Sequence, residues 1–164
     1  MRATTQVPQR AFPSTVGDPI DLSALPGRSV LFVYPRTSPP EGAPSGWEML
    51  PGARGCTAET CSFRDLASEF AAQETALLGL STQDRAYQAE AAARLHLPYP
   101  LLSDSALALA SPLGLATFSF QGARLYRRAT LVLEAGAIVH RFTEISDPGG
   151  HPAEVLSWLA AADS

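Results

Sequence analysis

Residues 29–34 read SVLFVY, an almost unbroken apolar run rich in β-branched and aromatic side chains. A strand buried on both faces reads this way, because neither side of its pleat meets water. Residues 76–81, ALLGLS, repeat the pattern. Between the two runs lie a stretch crowded with Pro and Gly (35–55, PRTSPPEGAPSGWEMLPGARG) and a segment with apolar residues at Phe63, Leu66, Ala67 and Phe70. The first is a long loop by its turn chemistry; the second is a helical stripe running from Cys56 to Phe70. Strand, helix, strand predicts a right-handed crossover and two parallel strands. The loop and the start of the helix then fall at the carboxyl edge of the sheet, where α/β folds keep their chemistry.

Further along, DRAYQAEAAARLHL (84–97) predicts a helix stopped by Pro98, and YPLLSD (99–104) a short extended piece. Asp104 is placed to cap a short helix over SALALAS. ATLVLE and AIVHRF flank Ala135-Gly136 and predict a β-hairpin over 129–142. HPAEVLSWLAAA (151–162) predicts a closing helix with Pro152 in its first turn. With no internal repeat and no change of composition, residues 1–164 read as a single α/β domain built on a mixed sheet.

The chain has 164 residues, 46% hydrophobic and 17% charged, which suits an ordinary globular protein with a sizeable core. A net charge of −4 argues against nucleic acid, which needs a concentrated basic surface. The N-terminal MRATTQVPQRAFPSTVGD has no apolar core of the signal-peptide kind. No stretch approaches the roughly 20 apolar residues of a membrane span. The expected compartment is the cytoplasm, where thiols stay reduced.

That setting gives weight to GARGCTAETCSFRD (52–65), which holds both cysteines of the chain, five positions apart. Cys56 follows Gly55 at the expected helix start, where unpaired backbone N–H groups and the positive end of the dipole favour a thiolate. Such a position can lower a cysteine pKa well below about 8.5. Cys61 lies a turn and a half on, among residues expected to pack or half-pack. In an intact helix, Cα atoms five positions apart are separated by roughly 8–9 Å, whereas a disulfide needs about 7 Å or less. If the two thiols pair, the helix must unwind, and the bond is a switch instead of a brace. The plain alternative makes both cysteines small core residues. A zinc site is a poor third reading, since His96, His140 and His151 show no clustered ligand spacing.

GCTAETCSFRD resembles the active-site helix of peroxiredoxins, in particular the peroxiredoxin Q or bacterioferritin comigratory protein group. DPIDLSALPGRSVLFVYP, LLGLSTQD, LPYPLLSD and RRATLVLEAGAIVHRF resemble that group's other landmarks, so the likeness runs over roughly residues 16–160. It implies a thioredoxin-like fold, a mixed central sheet flanked by helices, and reduction of hydroperoxides without metal or organic cofactor. Cys56 would be the peroxidatic thiolate that becomes a sulfenic acid, and Cys61 the resolving thiol that forms an intramolecular disulfide with it. A thioredoxin-type dithiol would reduce that bond. Arg128 falls where the family keeps an arginine that favours the thiolate and orients the peroxide; without the resemblance it reads as a solvated strand-edge residue, as Arg127 does. The group includes many monomers, and no strongly apolar extra segment argues for an obligate assembly.

One departure stands out. The family pattern P-x-x-x-T-x-x-C spans seven positions from Pro to Cys, but Pro35 and Cys56 are 21 apart, so about 14 residues are inserted. Ala53 stands three before Cys56 and offers no hydroxyl; Thr37, or less readily Ser38, could supply one if the insertion loops out. Trp47 and Met49 within it could cover a pocket or meet a partner. Glu59, in the first helical turn, suits the dipole and could tune the site or simply be solvated. Phe63, Phe118, Phe120 and Trp158 read as core or pocket wall, and His140 as a strand-face residue. Two other readings remain open from the residues alone: a thioredoxin-fold disulfide oxidoreductase, whose C-x-x-C spacing this chain lacks, and a non-enzymatic redox sensor or interaction module.

Overall fold

The computed structural model describes residues 5–36 and 56–162. Along them run β1 (Thr5–Gln6), β2 (Ala11–Ser14), β3 (Gly17–Asp21), β4 (Arg28–Val33), α1 (Cys56–Asp65), α2 (Ala67–Ala72), β5 (Thr75–Ser81), α3 (Arg85–Arg94) and β6 (Leu101–Ser103). There follow α4 (Ala110–Leu113), β7 (Thr117–Phe120), β8 (Ala123–Tyr126), β9 (Ala129–Glu134), β10 (Ala137–Phe142) and α5 (His151–Ala162). The main sheet orders its strands β1-β10-β9-β4-β5-β6-β2-β3, and β7-β8 form a separate hairpin. β4 and β5 are parallel, as the crossover requires, and β9 lies antiparallel on the other side of β4.

Alternation along the central strands makes two cores. Leu31 and Val33 of β4 face one side with Leu131 and Leu133 of β9, covered by Phe12, Leu22, Leu109 and Tyr126. Val30, Phe32 and Tyr34 face the other side, against Phe63 of α1, Phe70 of α2, and Val155 and Leu159 of α5. A single row crosses that second face: Phe142, Thr130, Phe32, Gly79 and Leu101 stand side by side on β10, β9, β4, β5 and β6. Gly79 is required there, because a Cβ would come within 2.7 Å of Leu101 Cδ2 and 2.8 Å of Phe32 Cζ. The absent side chain leaves room for the Phe32 ring, which stacks on Phe63 at 4.4 Å between centroids. Phe63 in turn meets Phe70 at 5.6 Å, and this chain of rings seats α1 on the sheet.

Several expectations shift. The helical stripe over 56–70 is two helices, broken at Leu66, so Phe63 and Phe70 reach the same core from different axes. α3 ends at Arg94, four residues before Pro98, because His96 takes a left-handed conformation (φ 54). Asp104 does accept backbone bonds, from the amides of Ala108 (2.8 Å) and Leu109 (3.1 Å), but the helix it precedes is only Ala110–Leu113. The hairpin over 129–142 turns at Ala135 and Gly136, both at positive φ, the geometry that matches strand twist.

Candidate active site

Cys56 is the first residue of α1, the next described element after β4 in chain order, and one unbroken helix carries it and Cys61. Thr37, Ser38, Trp47, Met49, Ala53 and the rest of 37–55 lie outside the described residues, as does the Cys56 side chain. Cys61 is a free thiol, half-buried as its position predicts. The second half of α1 is tied down on that side. Tyr99 donates its hydroxyl to the carbonyl of Thr60 at 2.7 Å, and Arg64 Nη1 donates to the carbonyl of Leu95 at 2.8 Å.

The first turn is tied from the other side by a charge. Arg128 is 6% exposed and not a solvated strand-edge residue; the exposed one is Arg127, whose guanidinium lies over the Phe118 ring at 5.7 Å. Arg128, one residue before β9, donates from Nη1 to Oε1 of Glu59 at 2.6 Å. Glu59 is correspondingly 0% exposed, so of its two sequence readings, tuning the site or standing in solvent, the solvated one is excluded. The pair fastens the approach to β9 to the first turn of α1, three residues from Cys56. A buried ion pair gains little net stability, because desolvation offsets its attraction. Its value here is placement: it holds a guanidinium beside the helix start that carries the thiol.

The desolvation is visible in the carboxyl. Burial pushes the Glu59 pKa up to about 7, against the opposing pull of the Arg128 charge and hydrogen bond. A folded-state pKa above the unfolded one means that Glu59 contributes stability which is fully present below about 4.5 and lost as pH rises through about 7. Comparing denaturant melts of the native chain and Glu59→Gln between those pH values should isolate this slope. The stability advantage of the native carboxyl over the amide should shrink by an amount on the order of a few kcal/mol as pH rises.

A thiol at a helix start, a second thiol in the same helix and a buried guanidinium at the first turn meet a clear likeness among known proteins. The family model described as Redoxin matches residues 2–157. The chain belongs to this family, in its peroxiredoxin Q group. A Mycobacterium tuberculosis relative that carries a peroxiredoxin name is 33% identical over 136 residues, covering 82% of this chain and 79% of its own. Peroxiredoxin Bcp of Escherichia coli is 26% identical over 164 residues, 97% of this chain and 96% of that one. Among solved structures, peroxidoxin BcpB of Mycobacterium tuberculosis superposes with a TM-score of 0.77 at 30% identity, covering 100% of this chain and 99% of its own.

As a peroxiredoxin the protein is a thiol-dependent peroxidase with a thioredoxin-like α/β fold, as the resemblance implied. Within the described residues of this peroxiredoxin, Arg128 and the first turn of α1 come together, and Cys61 lies between Thr60 and Arg64, which the residues following α3 hold. The residue that sequence reading undervalued is Glu59. Its only sequence signal is a carboxylate at helical spacing from apolar Phe63, four positions later on the same face. No membrane-spanning helix is present among the described residues.

Proposed function

We propose that Cys56 is the peroxidatic residue of this peroxidase and that Cys61 resolves it. The Cys56 thiolate attacks one oxygen of a hydroperoxide: the S–O bond forms, the O–O bond breaks, and the departing alkoxide or hydroxide takes up a proton. The resulting sulfenic acid condenses with the Cys61 thiol, releasing water and forming an intramolecular disulfide. A thioredoxin-type dithiol then restores both thiols by exchange. No metal or organic cofactor enters these steps. Thr37 supplies the hydroxyl that Ala53 lacks. The chain works in the cytoplasm, where the reductant is maintained.

The observation that carries this reading is the placement of Cys56 at the start of α1 with Arg128 buried against the same turn through Glu59. Amide dipoles and a guanidinium both favour the thiolate and the charge that develops on the leaving oxygen. The substrate class takes support from Xanthomonas campestris bacterioferritin comigratory protein. Its solved structure, with a TM-score of 0.77 at 24% identity, is described for alkyl peroxide reduction activity. Hydrogen peroxide and organic hydroperoxides are both substrates on this reading.

The continuous helix makes the resolving step conformational, since the first turns must open before the sulfurs meet. Cys61→Ser should therefore complete one turnover at close to the native rate and then stall in the thioredoxin-linked assay. Stopped-flow oxidation followed by mass mapping checks this: the native chain loses two hydrogens as a Cys56–Cys61 bond, the variant gains one oxygen. A variant that recycles with thioredoxin as fast as the native chain would remove Cys61 from the mechanism.

A further inference from the structure

His151 opens α5 and is 2% exposed, yet nothing in the chemistry above uses it. Its Nε2 lies 2.8 Å from the hydroxyl of Thr130, and its Nδ1 lies 2.8 Å from Oε1 of Glu154. The Glu154 carboxylate accepts from Nδ1–H, which leaves Nε2 to accept the Thr130 hydroxyl proton. Thr130 is the one polar residue in the row Phe142–Thr130–Phe32–Gly79–Leu101 on the α1 face of the sheet. The imidazole stands edge-on to two rings around it, Phe142 at 5.2 Å and Phe63 at 6.2 Å.

These contacts close a circuit. Arg128 stands one residue before β9 and Thr130 is the second residue of that strand, and both reach helices on the same face of the sheet, Arg128 to Glu59 of α1 and Thr130 to His151 of α5. Arg128 reaches Glu59 on α1; Phe63, one turn after Glu59, meets His151 on α5; His151 returns to Thr130. β9 and α1 are thus fixed to each other twice, directly by the ion pair and indirectly through α5. The two links are also electrically aware of each other. Burial holds the His151 pKa below its ordinary value, partly offset by Glu154, and the nearby Arg128 charge adds to the lowering.

We propose that His151 is a positioning residue for peroxide reduction, its Nε2–Thr130 bond setting where β9 presents Arg128 to the helix that carries Cys56. The inference rests on the peroxidase reading for its rate prediction, and on geometry alone for the placement. A misplacement of about 1 Å in a reacting constellation can cost on the order of 100-fold in rate. A strut one residue removed should be worth less, about tenfold.

The test separates the two nitrogens. His151→Asn can reproduce the Nδ1 contact and not the Nε2 one; His151→Gln does the reverse; Thr130→Val removes the hydroxyl at nearly constant shape. Two readouts apply to each: the stopped-flow rate of Cys56 oxidation by hydrogen peroxide, and the pH midpoint of Cys56 alkylation by iodoacetamide in the Cys61→Ser background. Thr130→Val and His151→Asn should each slow oxidation about tenfold and raise the alkylation midpoint, with the double variant no worse than either single one. His151→Gln should recover most of the lost rate. Native rate and native midpoint in Thr130→Val, whatever its melting temperature, would overturn the proposal and leave His151 a packing residue. If the native chain itself is not oxidised at Cys56, the peroxidase reading fails instead, and the alkylation midpoints still decide whether the strut acts on Cys56.

Discussion

Replacing Cys56 with Ser should bring thioredoxin-linked peroxide consumption down to background, a loss on the order of a thousand-fold or more. The reason is ionisation. A serine hydroxyl stays protonated at the same helix start where a thiol can be held as thiolate, and the thiolate is the attacking species. The fold should tolerate the change, because Ser differs from Cys only by oxygen in place of sulfur and costs the helix little. What seats α1 on the sheet is the ring stack of Phe32, Phe63 and Phe70. A consumption assay run beside a denaturant melt therefore reads chemistry separately from stability. Full turnover by a folded Cys56→Ser chain would reject the assignment and return the activity to another residue.

Arg128→Met should lower the rate of Cys56 oxidation on the order of 100- to 1,000-fold, the usual loss when a group aimed at developing charge is removed from a site. It should also destabilise the chain. Glu59 is left in a site with 0% exposure and without its ion-pair partner. Stranding one charge of a buried pair costs about 3–5 kcal/mol if the group stays ionised. Glu59 escapes part of that by taking a proton, toward which its burial already pushes it. The double variant Glu59→Gln/Arg128→Met removes the stranded charge, so it should regain most of the stability while staying slow. Denaturant midpoints and stopped-flow rates of the three variants check the two halves independently. Recovery of rate along with stability would show that Arg128 acts only by holding the fold.

The parts of this architecture that sequence makes legible are those with strong, local periodicity. SVLFVY and ALLGLS read as buried parallel strands, and the parallel register from Arg28–Thr75 to Val33–Leu80 bears that out. The hairpin over 129–142 and the closing helix read equally well. Weaker periods fail. β1, β2 and β3 are short, and Pro13 in β2 and Pro19 in β3 obscure their alternation. The β7–β8 hairpin turns on Gln121-Gly122, both at positive φ, a two-residue turn signal that flanking Phe120 and Ala123 could have exposed.

The site divides along the same line. A cysteine at a helix start is a local feature, and so is the second thiol five residues later. The Arg128–Glu59 bond joins residues 69 positions apart, and the His151–Thr130 bond 21 apart. Such pairings arise when the sheet brings β9 under α1 and α5, and no spacing in the chain announces them. For Glu59 the helical position is legible in the sequence and the burial is not, so tuning the site and plain solvation both stayed open there.

In the proposed mechanism the sulfur of residue 56 is ionised at neutral pH by the amide dipoles of α1 and the Arg128 guanidinium. The most direct measurement is the thiolate absorbance of the Cys61→Ser chain followed across pH, with Cys56→Ser/Cys61→Ser as the blank. The midpoint should fall below neutrality, well under the free-thiol value of about 8.5. A midpoint at or above that value would show a Cys56 thiol that neither the dipoles nor Arg128 holds ionised.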